Sequence, residues 1–284
     1  MAKIYDALRK AEADRKRKLG ERSQRHATLD AESIGPLGER DEPTPKPAWT
    51  LGSGRSARRR APDANAELNK RRISLLQPES FIAEQFRALR GRIDAIASQR
   101  PIKTIAITSA FPGEGKTTCA INLAIVTSMS LGRRVLLIDC DLRRPKVHPA
   151  LGLKPTAGLA EVLTGACSIE QAITPAQGVA LDVLPVCERP ANPSELLGSP
   201  EMSRLIERVA ERYDRIILDT PAALGLPDAK AVSELCDGMV VVVRADVTAR
   251  SDIEAVLEIF DRERVLGLMI NGVDANQGRY GYTS

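Results

Sequence analysis

Residues 109–118 read Ser-Ala-Phe-Pro-Gly-Glu-Gly-Lys-Thr-Thr and follow an apolar run containing Ile102, Ile105 and Ile107. A buried strand, a glycine turn and a Lys-Thr pair opening a helix is the setting of a phosphate-binding loop. Gly113 and Gly115 allow a tight turn whose N–H groups point inward, and the helix N-terminus adds its own donors. Residues 113–118 (Gly113, Glu114, Gly115, Lys116, Thr117, Thr118) are therefore the expected nucleotide-binding set. Lys116 would reach the outer phosphates, and the Thr117 hydroxyl would ligate Mg²⁺. Ala110 stands where the common pattern starts with Gly.

Two later segments narrow the chemistry. Val135-Leu-Leu-Ile-Asp-Cys-Asp-Leu-Arg-Arg-Pro145 is an aliphatic strand with two carboxylates at its end. Residues two apart in an extended chain point the same way, so Asp139 and Asp141 are expected to face one site. Neighbouring like charges are costly unless a cation lies between them or one carries a proton, and Mg-nucleotide supplies such a cation. Ile216-Ile-Leu-Asp-Thr-Pro221 is a second strand ending in a carboxylate. Asp219 is the candidate for a water-mediated metal contact. A lone strand-end Asp commonly caps a helix, but three of them in a chain with a phosphate loop favour the metal.

With these motifs the chain resembles the bacterial tyrosine kinases of polysaccharide assembly, the BY-kinases. Their Walker A motif resembles residues 108–118, their second motif Leu136 to Arg143, and their Walker B Ile216 to Thr220. Glu84-Gln-Phe-Arg87-Ala-Leu-Arg90 is similar to the Glu-x-x-Arg-x-x-Arg helix with which that family builds rings. Gly158 to Gly165 and Asn192 to Ser199 match further signatures, and the likeness covers about residues 77–284. It implies an ATP- and Mg²⁺-dependent tyrosine autokinase controlling exopolysaccharide or capsule synthesis and export. Metal would be held by Thr117, Asp139 and Asp219. Lys116, Asp139 and Asp141 would be catalytic, with either Asp as the proton acceptor. Tyr280 and Tyr282 would be phosphoacceptors, and Glu84, Arg87 and Arg90 would form a homo-oligomeric ring interface. A separate membrane-anchored activator, or chain-length-determinant protein, is the expected partner.

Two alternatives stand beside this reading. Cell-division and partition ATPases share the fold, but carry a second lysine where this chain has Phe111. A scaffold switched by ATP, with little kinase activity, would suit a tail with only two tyrosines.

Strands are expected near 102–109, 134–139, 181–186, 215–219, 238–244 and 264–271, alternating with helices. That order predicts an α/β fold, a P-loop NTPase of the deviant-Walker kind with a mainly parallel sheet covered on both faces. Ligands in such sheets bind beyond the carboxyl ends of the strands, where all three motifs lie. A helix over 79–98 is expected to bury Ile82, Phe86, Leu89, Ile93 and Ile96, with Glu84, Arg87 and Arg90 off that stripe.

Charge divides the chain. Residues 1–75 hold 18 Lys+Arg against 11 Asp+Glu, leaving 23 against 26 in the remainder of a chain whose net charge is +4. The expected organisation is a short amphipathic helix over 1–19, a disordered basic linker over 20–76, a kinase domain over 77–271 and a flexible tail over 272–284. The basic runs lack aromatic interleaving, so nucleic acid is not an expected ligand. No apolar stretch reaches the ~20 residues that cross a bilayer, and the charged start is not a signal peptide. The expected location is the cytoplasm, with recruitment to the inner face of the cell membrane. The five cysteines have no Cys-x-x-Cys spacing and read as reduced thiols. Cys140 sits between two site carboxylates, where oxidation would reach the site.

Overall fold

Parallel β-structure is the organising element of the chain, as the aliphatic runs require. The computed structural model describes residues 72–273. The expected N-terminal helix, nearly all of the basic linker, and Tyr280 and Tyr282 lie outside the described residues.

Seven strands form one sheet. In chain order they are β1 (Thr104–Ser109), β2 (Val135–Asp139), β3 (Thr174–Pro175), β4 (Leu181–Leu184), β5 (Arg215–Asp219), β6 (Gly238–Arg244) and β7 (Val265–Asn271). Their spatial order is β3-β4-β2-β5-β1-β6-β7. Every neighbouring pair is parallel except β3 with β4. Pro175 cannot donate a ladder bond, so its place on an edge strand is physically apt.

The strand residues alternate between two cores. Ile105, Ile107, Leu137 and Ile217 face one cluster, and Ala106, Leu136, Ile138 and Leu218 face the other. The first cluster includes helices α1 (Ile73–Leu76), α2 (Phe81–Ala97), α3 (Lys116–Ser128) and α4 (Val147–Leu151). The second takes α5 (Leu159–Leu163), α6 (Ile169–Ala172), α7 (Pro193–Leu197), α8 (Pro200–Ala210), α9 (Asp228–Glu234) and α10 (Arg250–Ile259). The α/β, P-loop NTPase-like sheet expected from the alternation is thus present. Among the described residues no helix is long and apolar enough to cross a membrane.

α3 is buried almost all round, because the sheet covers one side and α1 and α2 lie over the other. This burial carries the loop that starts it into the middle of the carboxyl edge. α1 falls inside the segment expected to be linker, so the folded part begins sooner than residue 77. Ser74 is buried, and its N–H donates to Asn122 Oδ1 at 2.9 Å. Nothing local in Ile-Ser-Leu-Leu announces that anchor.

α2 begins at Ser80, whose Oγ accepts the Ala83 N–H at 3.2 Å. Its buried residues are Ala83, Phe86 and Ile93, with Leu89 and Ile96 partly covered. Ile82, expected in the core, is 45% exposed. The helix buries its Ala83 side, which rotates Ile82 toward the cleft described below.

Candidate functional site

The phosphate loop joins β1 to α3. Gly113 and Gly115 have φ of 90° and 101°, a region that side chains rarely adopt and that glycine reaches without strain. The loop borders a cleft of about 720 Å³, which Gly113, Gly115, Lys116, Thr117 and Thr118 line. Ile82 and Phe86 of α2, Lys146, and the end of β7 complete its walls.

The structure brings the sequence-predicted carboxylates to the same edge, in three different environments. Asp139 and Asp219 are direct register partners on β2 and β5. Asp139 is fully buried, and its two oxygens are occupied by backbone: Oδ1 accepts from Asp141 N, and Oδ2 from Lys146 N and Val147 N, each at 3.1 Å. It ties the loop after β2 to the start of α4. Burial first, then the Asp219 charge, raises its pKa well above the carboxylate range, although the Val147 and Asp141 N–H groups pull the other way.

Asp141 instead meets the phosphate loop. Its Oδ2 lies 3.1 Å from Lys116 Nζ, and its Oδ1 accepts Arg144 N at 3.0 Å. Asp139 and Asp141, expected to face one site together, have different partners. Asp139 serves the loop, and Asp141 faces Lys116. Burial pulls the Lys116 pKa down, but the charges of Asp219, Asp141 and Asp139 outweigh it and hold it above the usual lysine value.

Asp219 is fully buried, and neither of its oxygens has a hydrogen-bond partner of ordinary geometry. Burial pushes its pKa up to about 6, opposed by the Lys116 charge and the nearby Thr117 hydroxyl. An unpartnered buried carboxylate beside a loop threonine fits a hard cation. Among the described residues no group of three His, Cys, Asp or Glu side chains forms a ready-made metal cage. A single buried carboxylate beside a hydroxyl matches Mg²⁺, which commonly binds one or two side chains and completes its shell with waters and substrate phosphates.

Several contacts around the site were not legible in the motifs. Arg143 Nε donates to Asp228 Oδ2 at 2.8 Å, and its Nη2 to Ser194 Oγ at 2.8 Å. Ser194 Oγ donates in turn to Asp228 Oδ1 at 2.5 Å. The Asn192-Pro-Ser segment and the end of the second motif are thus parts of one network, which fixes the loops after β2 and β5 against α7. Arg244, Thr248 and Asn271 lie around the phosphate loop and carry no motif of their own.

Cys140 is fully buried, and burial first, then Cys236 and the site carboxylates, raises its thiol pKa well above the ordinary value. A thiol that neither ionises nor meets solvent is a poor target for oxidants. Its place between two carboxylates therefore does not make it sensitive to oxidation.

An AAA domain family, AAA_31, matches residues 102–265. Tyrosine-protein kinase YwqD of Bacillus subtilis is 39% identical over 213 residues, spanning 74% of this chain and 90% of its own length. The chain belongs to the bacterial tyrosine-kinase family. It is a BY-kinase, and its enzyme class is protein-tyrosine kinase. A second relative, the succinoglycan biosynthesis transport protein ExoP of Rhizobium meliloti, is 35% identical over 215 residues. The match spans 74% of this BY-kinase but only 27% of ExoP, so the two share one part of a longer protein. The kinase domain of Escherichia coli tyrosine kinase ETK superposes with a TM-score of 0.69 at 28% identity, covering 75% of this chain and 83% of that one. The P-loop of the family implies nucleotide binding here.

Proposed function

We propose that this BY-kinase uses MgATP to phosphorylate tyrosines of its own tail, on itself or on a sister subunit. The observation that carries the reading is the Lys116–Asp141 contact at 3.1 Å. It supports a pairing of Lys116 as phosphate-binding cation with Asp141 as proton acceptor beside the phosphate loop. Phosphoryl transfer is mainly positioning and charge neutralisation. Lys116 and the loop N–H groups hold the phosphates. Thr117 and Asp219 would hold Mg²⁺, which offsets charge on the phosphate oxygens. A tyrosine hydroxyl, with a reference pKa of about 10, attacks well only when its proton is taken. Asp141 accepts that proton, the tyrosine oxygen bonds to the γ-phosphorus, and ADP leaves. Asp141 suits this role better than Asp139, whose oxygens are already filled by backbone N–H groups.

β7 ends at Asn271 on the cleft edge, and Tyr280 follows nine residues later, a contour of roughly 30 Å. That length reaches the protein's own site or a neighbour's. Glu84, Arg87 and Arg90 are assigned to the ring interface between copies. A separate membrane-anchored protein is the assigned activator, and it would bring the cytoplasmic kinase to the inner face of the membrane. The link to exopolysaccharide synthesis and export is supported by the succinoglycan name of one relative.

The test is incubation with labelled ATP, Mg²⁺ and the activator's cytoplasmic segment, followed by mapping of phosphotyrosine. Label on Tyr280, Tyr282 or both is expected, and it should vanish when Tyr280→Phe and Tyr282→Phe are combined. An unmodified tail under these conditions makes the ATP-switched scaffold the better reading.

A further inference from the structure

Side chains from the β6–β7 edge grip the outer side of the phosphate loop at consecutive residues. Arg244 Nη1 donates to the Gly113 carbonyl at 2.9 Å. Asn271 Nδ2 donates to the Glu114 carbonyl at 2.8 Å. The Thr248 hydroxyl donates to Glu114 Oε1, and the other carboxylate oxygen accepts Phe111 N at 2.8 Å. Glu114 is 3% exposed, so its carboxylate is committed to these partners within the protein. The gripping residues are themselves linked. Arg244 N donates to Thr248 Oγ1 at 2.9 Å, and Ala245 N to the Asn271 carbonyl at 2.8 Å.

The peptide group is planar and trans, so its C=O and N–H point in opposite directions. The Gly113 carbonyl shares a plane with the Glu114 N–H, and the Glu114 carbonyl shares one with the Gly115 N–H. Holding those two carbonyls outward therefore turns the two N–H groups inward, toward the space a phosphate occupies. The loop needs this help. With glycines on both sides of Glu114, its peptide planes would otherwise sample many orientations. Ordering them in advance removes a cost that binding would have to meet.

We infer that Arg244, Thr248 and Asn271 are positioning residues for phosphate binding, acting through the carbonyls and the Glu114 side chain of the loop. The inference rests on the reading of this loop as the nucleotide site. It adds to that reading the device that aims the loop's donors. It also accounts for Glu114, because a buried carboxylate in an anion-binding loop serves there as an internal tie for Phe111 and Thr248.

The test measures the dissociation constant of a non-hydrolysable ATP analogue with Mg²⁺, at a temperature well below unfolding, in the full chain. Asn271→Ala frees the Glu114 carbonyl, and Thr248→Val removes the hydroxyl at nearly constant shape. Each is expected to weaken binding by about tenfold, with Thr248→Ser restoring the wild-type value. Circular dichroism establishes that each variant is folded, and if one fails to fold the other carries the test. Folded variants that bind as tightly as wild type overturn the inference and leave the nucleotide site standing. A wild-type chain that binds no analogue overturns the site, and the brace with it. Equal weakening by Thr248→Val and Thr248→Ser also counts against the inference, because the serine retains the hydroxyl.

Discussion

Lys116 Nζ and Asp141 Oδ2 are 3.1 Å apart, and both side chains are about nine-tenths buried. The lysine that should bind phosphate is thus already paired with the carboxylate proposed to take the tyrosine proton. Nucleotide gives the lysine a second anionic partner. Drawing Lys116 toward phosphate loosens its contact with Asp141 and frees that carboxylate oxygen for another partner.

Lys116→Met should abolish phosphorylation, because the loop loses its phosphate cation. It should also destabilise the fold, since removing one partner of a buried ion pair typically costs ~3–5 kcal/mol. The Arg144 N–H, which Asp141 retains, should keep the loss toward the lower end. Adding Asp141→Asn should recover stability without recovering activity. Urea unfolding and a phosphotyrosine assay check both parts, and a Lys116→Met chain with wild-type phosphotyrosine would remove the site assignment.

Asp139→Asn and Asp141→Asn should separate stability from turnover. The amide introduced by Asp139→Asn would present N–H where Lys146 N and Val147 N, or Asp141 N, now donate, leaving buried donors unmet at about 1–3 kcal/mol. Asp141→Asn should slow phosphoryl transfer by ~10²–10⁴, with its loss of stability softened because the Asp219 and Asp139 charges still face Lys116. Denaturation curves together with single-turnover rates test this. Equal effects of the two substitutions on both quantities would argue against divided roles.

Asp219 gives the nucleotide-free protein a pH signature. Its folded pKa is raised to about 6, so the folded state binds the proton more tightly than the unfolded state, whose value is near 3.9. The sign follows from linkage: stability contributed by this group is complete below pH ~4 and is lost as pH rises toward 6. Asp139, also raised, acts in the same direction. Melting temperatures between pH 4 and 7 should show a falling component, which Asp219→Asn reduces. Saturating MgATP should offset it in the wild type. A melting curve equally steep in Asp219→Asn would refute the assignment.

Arg87 and Arg90 should not behave alike. Arg87 is tied to Glu84 and to the Pro78 carbonyl within its own helix region. Arg90 reaches across to α3 and donates to the Val126 carbonyl at 2.6 Å. Arg90→Ala should therefore lower the unfolding free energy by about 1 kcal/mol, a typical net hydrogen-bond contribution, as well as affect assembly. Arg87→Ala should reduce the mass seen by light scattering with little change in stability. An assembly mass unaffected by either substitution would leave both as intrachain contacts.

The sheet and the three motifs were legible because they are local. Buried parallel strands write themselves as aliphatic runs, and Gly-Glu-Gly-Lys-Thr fixes a turn and a helix start within five residues. What was hidden depends on partners far along the chain. α4 has Pro149 inside a five-residue helix and is held by Asp139, so its sequence alone gives no helical signal. Proline is tolerated there because it falls in the first turn. The separate fates of Asp139 and Asp141 were invisible for the same reason: spacing puts both carboxylates at the strand end, but only the folded loop shows which is filled by N–H groups. Arg244, Thr248 and Asn271 escaped because loop contacts over more than a hundred residues leave no pattern in either segment.

Ile73 and Val273, close to the two ends of the described body, line the same cleft as the phosphate loop. Pro101, Glu234 and Arg264 lie beside the starts of β1, β6 and β7, at the opposite rim of the sheet. This polarity gives the molecule a handle side and a mouth side. A dye or surface linker attached near Arg264 leaves the mouth open, whereas the same attachment at either end of the body stands where nucleotide must enter. Immobilised-protein binding measurements on this kinase are therefore best anchored at the rim that holds Glu234 and Arg264.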